Sequence, residues 1–403
     1  MKHKTIICVI LAVILAFPVF ADDPVIMPAL SMPSMASNGF GGHHVAYTDN
    51  VYSLLVNPAA MMRTQQSSWF TLSPSLYSPG GVFEALKAMG GGLESDMIKQ
   101  LVPSIEKLAG NGRMVLGLDL PEFPLSIAWV ANGFGFGLWN RTHMTVKVDG
   151  ITSGTIDVYA DVMLPIGMAF KVLDFGGAIT VDAGITVKPF ARTWISETIN
   201  PTSLMSSIDN LADNLSAPLI AGGALDAGLM LRMGNFLSAG LTFNNIFSHG
   251  VEVYNLGTLN GKEREVNKNT VYKFPFTMNA GAAMNFNLFN IMGLAVALDL
   301  RDISNYFAQD NYLNRNWILN LGLGAELSMF NFLKVRAGIS DMLPSVGLGL
   351  HFGAFKIDFA YFGQELGNEP GHRSTAVAGL SLSIRPQAKQ RDWAWTRNAF
   401  IGF

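Results

Sequence analysis

From Thr155 to Val172 the chain alternates with a period of two. Ile156, Val158, Ala160, Val162, Leu164, Ile166, Met168 and Phe170 are apolar, and the residues between them, among them Asp157, Asp161, Gly167 and Lys171, are mostly smaller or more polar. Successive side chains of a strand point to opposite faces, so this pattern makes a ribbon with one greasy and one wetter side. The greasy side must be hidden. In a soluble sandwich it meets a second layer; in a transmembrane barrel it meets lipid, and the wetter side lines a lumen.

The pattern recurs. Leu333, Val335, Ala337 and Ile339 alternate with Lys334, Arg336, Gly338 and Ser340; Val346, Leu348, Leu350 and Phe352 with Gly347, Gly349, His351 and Gly353; Phe355, Ile357, Phe359 and Tyr361 with Lys356, Asp358, Ala360 and Phe362. A further run over 317–329 reads the same way, Trp317 and Leu319 on its apolar side. Strand-like segments fall near 67–76, 113–120, 123–131, 134–148, 155–172, 177–194, 218–232, 236–247, 272–288, 291–302, 315–330, 332–341, 345–353, 354–363 and 374–385. Single-chain bacterial barrels use even numbers. Fourteen strands are therefore expected, one segment being either no strand or a part of its neighbour. Short connections such as Met342-Leu343-Pro344 fit periplasmic turns.

Composition decides between the two solutions. Mean hydropathy is +0.29 with 14% charged residues, yet beyond the first 21 residues no run reaches the ~18 uncharged apolar residues of a membrane helix. Apolarity without apolar runs is what a lipid-facing barrel requires, and the reading is all-β, an antiparallel transmembrane barrel. A soluble secreted β protein is the alternative fold. The net charge of −3 offers no basic face for nucleic acid.

Lys2 and Lys4, the apolar run Ile6 to Phe17 and Pro18-Val19-Phe20-Ala21 read as a signal peptide over 1–21. The one cysteine, Cys8, lies inside it. Residues 22–66 carry little strand signal, residues 67–385 make the barrel, and 386–403 are a tail or the closing strand. Val82 to Leu108 and Pro201 to Leu215 have helical spacing and are expected as helical inserts in loops.

Few residues suggest chemistry. Gly133-Phe134-Gly135-Phe136-Gly137 is strand rather than a phosphate loop, because its spacing of two puts all three glycines on one face. His43 and His44 point apart on extended backbone and make a poor metal site. There is no Gly-x-Ser-x-Gly elbow and no His-Glu-x-x-His helix. No cofactor, no metal and no catalytic activity are expected.

Gly41-Gly42-His43-His44-Val45-Ala46-Tyr47-Thr48-Asp49, followed by Asn57-Pro58-Ala59, resembles the opening motif of the FadL-type outer-membrane proteins. Val335-Arg336-Ala337-Gly338, Gly347-Leu348-Gly349, Ile357-Asp358-Phe359-Ala360-Tyr361, Glu365-Leu366-Gly367 and His372-Arg373 resemble their C-terminal half. The resemblance implies a monomer in the bacterial outer membrane that takes up long-chain fatty acids or other hydrophobic molecules passively. It implies that residues 22–66 fold inside the barrel as a hatch, with Gly41, Gly42, Asp49, Asn57, Pro58 and Ala59 as its motif. It also implies sideways release through a kinked wall, for which Pro165 and Gly167 are the candidates and Pro189 and Pro275 lesser ones.

A fatty acid needs a base for its carboxylate. The pattern puts Lys188, Arg232, Arg301, Lys334 and Arg336 on the lumen side, each near an acid such as Asp182, Asp226, Asp299, Glu326 or Asp358. Lys334 and Arg336 are the first choice for ligand binding, with Arg232 and Lys188 next. Competing roles are an envelope assembly or secretion partner and a general porin.

Overall fold

The computed structural model describes residues 24–48, 50–78, 113–122, 126–149, 153–199, 216–258, 266–267, 270–288, 291–306, 315–330 and 332–386. The signal-peptide reading of 1–21, the helical inserts at 82–108 and 201–215, Asp49 and residues 387–403 lie outside them.

Among the described residues one antiparallel sheet closes on itself with fourteen wall positions. The first is built from β2 (Gln66–Ser68), β3 (Phe70–Leu72) and β4 (Ser75–Ser78), and the second from β5 (Arg113–Pro121) and β6 (Ile127–Ala131). β7 (Phe134–Asp149) follows, then β8 (Ser153–Met163) with β9 (Ile166–Phe175), β10 (Ile179–Ile199), β11 (Ser216–Met233) and β12 (Leu237–Thr258). β13 (Val271–Lys273) with β14 (Thr277–Leu288) comes next. β15 (Met292–Leu300), β16 (Leu321–Met329), β17 (Leu333–Ser340), β18 (Leu343–Phe352), β19 (Phe355–Glu365) and β20 (Ser374–Ile384) complete the wall. Closure comes from β20 pairing with β3 and β4, for example Ala378 opposite Leu76.

The two sequence segments 113–120 and 123–131 are one wall position, because β5 and β6 pair successively along β7. That accounts for fourteen rather than fifteen. The run 155–172 is two strands, since Pro165 has no N–H to continue the ladder. Residues Trp317–Asn320 form a 3₁₀ turn, not strand; Asn316 caps it by accepting from the Ile318 N–H at 3.2 Å, and Leu319 is buried. The Asp341-Met342 turn has both residues at positive φ, as a two-residue hairpin demands, and stands on the rim that carries the long connections. It is therefore not one of the turns on the opposite rim, where Asn132-Gly133, Gly234-Asn235-Phe236 and Gly353-Ala354 close hairpins.

The two faces separate by chemistry. Val162, Leu164, Ile166, Val335, Val346, Leu348 and Phe359 point outward and are exposed. Trp69, Phe175, Phe236, Phe330, Phe352 and Phe355 add exposed aromatic rings at the short-turn rim, the place of an interfacial girdle. On the inner side, the described residues of 24–64 pack against the wall. β1 (Val25–Ile26) pairs in parallel with β13, the helical turn Met35–Gly39 lies against β18 and β19, the turn Pro58–Met62 lies against β9 to β11, and the turn Ser53–Val56 packs on Pro58–Met62. Met27, Leu54 and Met61 from this segment make one buried cluster with Val130, Trp139, Met163 and Ile220 of the wall. No helix among the described residues is long and apolar enough to cross a membrane.

A lipid-facing belt sets a depth-dependent cost on charge. Leu348→Arg, near the middle of β18, is expected to destabilise the folded barrel by about 2–4 kcal/mol, and Phe355→Arg at the rim by no more than about 1 kcal/mol. Equilibrium refolding in lipid vesicles measures both.

Candidate functional site

Asn57 is the centre of the inner segment's docking. Its side-chain amide donates to the carbonyls of Val45 (2.9 Å) and Leu229 (3.2 Å), and its Oδ1 accepts from the Ala59 N–H (3.1 Å). Pro58 opens the following 3₁₀ turn with the φ that proline supplies. Asn57, Pro58 and Ala59 are all buried. They lie so close to β10 and β11 that a Cβ on Gly184 would run into Pro58, and one on Gly228 into Asn57. The wall is glycine here because backbone meets backbone. Gly41 has φ +84° and Gly42 φ +99°, and they turn the segment toward β15 and β16.

The expected lumen bases are inward, but they do not converge. Lys188 pairs with Asp226 at 2.7 Å and donates to Asn245 Oδ1 at 3.0 Å. Arg232 pairs with Asp182. Across the barrel, Arg336 bridges Glu326 (2.6 Å) and Asp358 (2.7 Å), and Lys334 donates to the other Glu326 oxygen (2.6 Å). Glu326 and Arg336 are directly opposite in register. These side chains are nearly all buried. Their charges balance one another in the wall, as desolvated ions must. Arg192 with Asp161, Arg141 with Asp119 and Arg385 with Glu122 repeat the device. Glu122 also accepts from Tyr52 Oη (2.7 Å) and Trp139 Nε1 (3.1 Å), tying the inner segment to the seam between the first and last strands.

Arg301 is different. It stands just past the end of β15, donates to Ser340 Oγ (2.8 Å) and to the Gly41 carbonyl (2.5 Å), and leaves its buried Nε without a partner. Among the described lumen bases named above it alone has no carboxylate at ion-pair distance. It lines a cavity of about 490 Å³ toward the rim of long connections. Met27, Pro28, Trp194, Pro275 and Leu319 supply much of that lining, and Asp302 and the Arg315–Asp341 pair (3.0 Å) stand at its edge. In the sequence Arg301 is one of five lumen-side bases, and it is not among the four expected to bind ligand. Only the pairing pattern singles it out. A second cavity of about 380 Å³ lies toward the other rim, lined by Tyr47, Asn285, Gly293, Ala295 and Ser328.

Pro165 and Pro275 both interrupt the wall, and they differ. At Pro165 backbone bonds bridge the break: Gly137 N–H donates to the Pro165 carbonyl (3.0 Å) and Leu164 N–H to Pro189 (2.9 Å). Gly167 faces inward against Met61 and Leu54. At Pro275 the β12 ladder stops at Asn244–Thr277 and resumes at Gly250–Tyr272. Side chains bridge that interval. Asn245 Nδ2 donates to the Pro275 carbonyl and Ser248 Oγ accepts from the Phe274 N–H, both at 2.9 Å.

No protein-family model and no curated protein matches the chain. Solved structures do. The monoaromatic hydrocarbon channel CymD is 11% identical with a TM-score of 0.48, over 90% of this chain and 99% of that one. The P. putida toluene transporter TodX is 12% identical with a TM-score of 0.47, over 91% and 99%. A Pseudomonas aeruginosa FadL homologue is 12% identical with a TM-score of 0.43, over 91% and 100%.

Gly228→Val is expected to push Asn57 off the wall while the ladder stays closed. Amide exchange across residues 45–60 should accelerate, with little change in strands β14 to β19. A pH effect is also expected. His43 lies inside the lumen with Nε2 at 2.9 Å from the Met32 carbonyl, and burial lowers its pKa from 6.5 to about 4. The folded state then binds fewer protons than the unfolded chain, so His43 costs stability as pH falls from about 6.5 toward 4. In urea titrations across that window, His43→Gln should lose less stability than the parent chain.

Proposed function

We propose that this protein is a bacterial outer-membrane channel for the passive entry of hydrophobic small molecules, with residues 24–64 as its hatch. The observation that carries the reading is the cavity beside Arg301. Its volume is in the range of ligand pockets, and apolar side chains make much of its surface. The apolar belt and aromatic rim support a place in the lipid bilayer. The opening motif, with its likeness to FadL-type proteins, supports the hatch.

Long-chain fatty acids are the ligand class we infer. Their chains match the apolar lining, and their carboxylate matches a guanidinium that the wall leaves without an acid. This moves the head-group role from Lys334 and Arg336, whose charges are already satisfied, to Arg301. Ligand leaves the cavity through the wall, and the Pro275 interval, held by two side chains, is a weaker seam than Pro165. An open aqueous pore is disfavoured, because Tyr52, Leu54 and Met61 fill the lumen and are buried.

Binding of a fluorescent long-chain fatty acid, compared with an uncharged probe of the same chain length, tests the reading. Arg301→Met is expected to weaken acid binding about tenfold or more, the weight of one hydrogen bond to a charged group, and to leave the uncharged probe unaffected. Lys334→Ala with Arg336→Ala should change neither. Equal loss of both probes in Arg301→Met would remove the head-group role. No saturable binding of either, together with a stable co-purifying protein, would favour the assembly-partner role.

A further inference from the structure

We propose that a single proton, held between His44 and Asp299, latches residues 40–47 across the inner face of β14–β16 and so separates the two cavities. The cavities share these strands. Thr277, Arg301 and Asn320 line one, and Asn285, Ala295 and Ser328 line the other. Between them the wall presents only small inward residues beside Asp299: Gly281 and Ala283 on β14, Ala297 on β15 and Gly324 on β16. The obstruction is therefore the segment itself, with Phe40 and Ala46 packed on those alanines and the Phe40 and Tyr47 rings 5.2 Å apart.

The latch follows from donors and acceptors. His44 Nε2 lies 2.9 Å from the Phe40 carbonyl, which only accepts. That nitrogen must carry a hydrogen. Nδ1 meets Asp299 Oδ2, so a proton must lie there too. Asp299 Oδ1 accepts from the Val45 N–H at 2.9 Å, as a carboxylate does, and Arg301 stands two residues on, just past the end of β15; this arrangement places the proton on the imidazole. Other charged groups nearby are engaged or uncharged. His43 bonds the Met32 carbonyl. Glu326, which accepts from Tyr47 Oη at 3.3 Å, is held by Lys334 and Arg336. The facing stretch of β14 offers Asn279, Gly281 and Ala283. Removing the proton sets two lone pairs face to face in a buried site, and Gly324 leaves no wall side chain to replace the bond.

Histidine ¹⁵N spectra of the full chain in nanodiscs at neutral pH test the latch directly. A signal from an imidazole with both nitrogens protonated is expected that vanishes in His44→Gln. A His44 with an unprotonated ring nitrogen at that pH overturns the proposal. Amide exchange of residues 40–47 in the parent chain and in variants, at one pH, is the second measurement. Protection should fall by about tenfold or more in His44→Phe, which keeps a ring and removes both ring donors, the scale of one charge-assisted hydrogen bond. In Asp299→Asn it should stay level, since the carboxamide donates to neutral imidazole and still accepts from Val45. Unchanged protection in His44→Phe overturns the latch, even if the Asn variant fails to fold. Passage of an uncharged hydrophobic dye into proteoliposomes, which rests on the channel reading, should rise in His44→Phe. If spectra and exchange behave as expected but passage does not, the latch stands and the channel reading fails.

Discussion

A backbone in hydrocarbon has no water to bond with, so every N–H and C=O that crosses a bilayer must find its partner within the protein. A sheet meets that requirement only by closing, and the pairing of β20 with β3 and β4 is the contact that closes this one. Once the ring is shut, the period of two does the rest. One side of every strand is committed to lipid and the other to an enclosed space.

The charged side chains on that inner side are nearly all buried away from water. The inward ions therefore bind each other across neighbouring strands, as Arg192 does Asp161 and Arg336 does Glu326 and Asp358. Removing one member of such a pair costs far more than the pair contributes, so the wall chemistry is difficult to alter piecemeal. Residues 24–64 use the same economy. They dock through backbone carbonyls, the amide of Asn57 and close glycine contacts, and they borrow wall charges at Asp299, Glu122, Glu326, Arg141, Arg192, Arg301 and Arg385. Among the described lumen bases named above, Arg301 is the exception to charge balance, and it borders the larger of the two cavities.

Interruptions in the ladder carry information because they are expensive in lipid. Pro165 keeps its neighbours' backbone bonds and reads as a bend. The interval at Pro275 substitutes Asn245 and Ser248 side chains for main-chain pairs, and Asn245 takes a left-handed φ of 54° to do so. Side-chain bonds cost more order to make and less to exchange, so that seam is held less firmly than the bend.

Much of the fold was legible in residue order. Alternation along 333–340 and 345–352, with apolarity but no apolar run, excludes a helical membrane protein and points to a barrel, and the even-number rule brought fifteen segments to fourteen. Strand ends were less legible. Trp317 and Leu319 keep the alternating pattern but belong to a 3₁₀ turn, because a period of two over a few residues does not distinguish them. The lumen bases were legible as inward, but not which of them is left unpaired. Alternation is a local property, set by successive Cβ atoms along one strand, and the sequence by itself determined which faces meet lipid. Which acid reaches which base, and that His44 finds Asp299 255 positions away, depends on register around a closed ring. That was decided only when the tertiary structure brought distant strands to the same height.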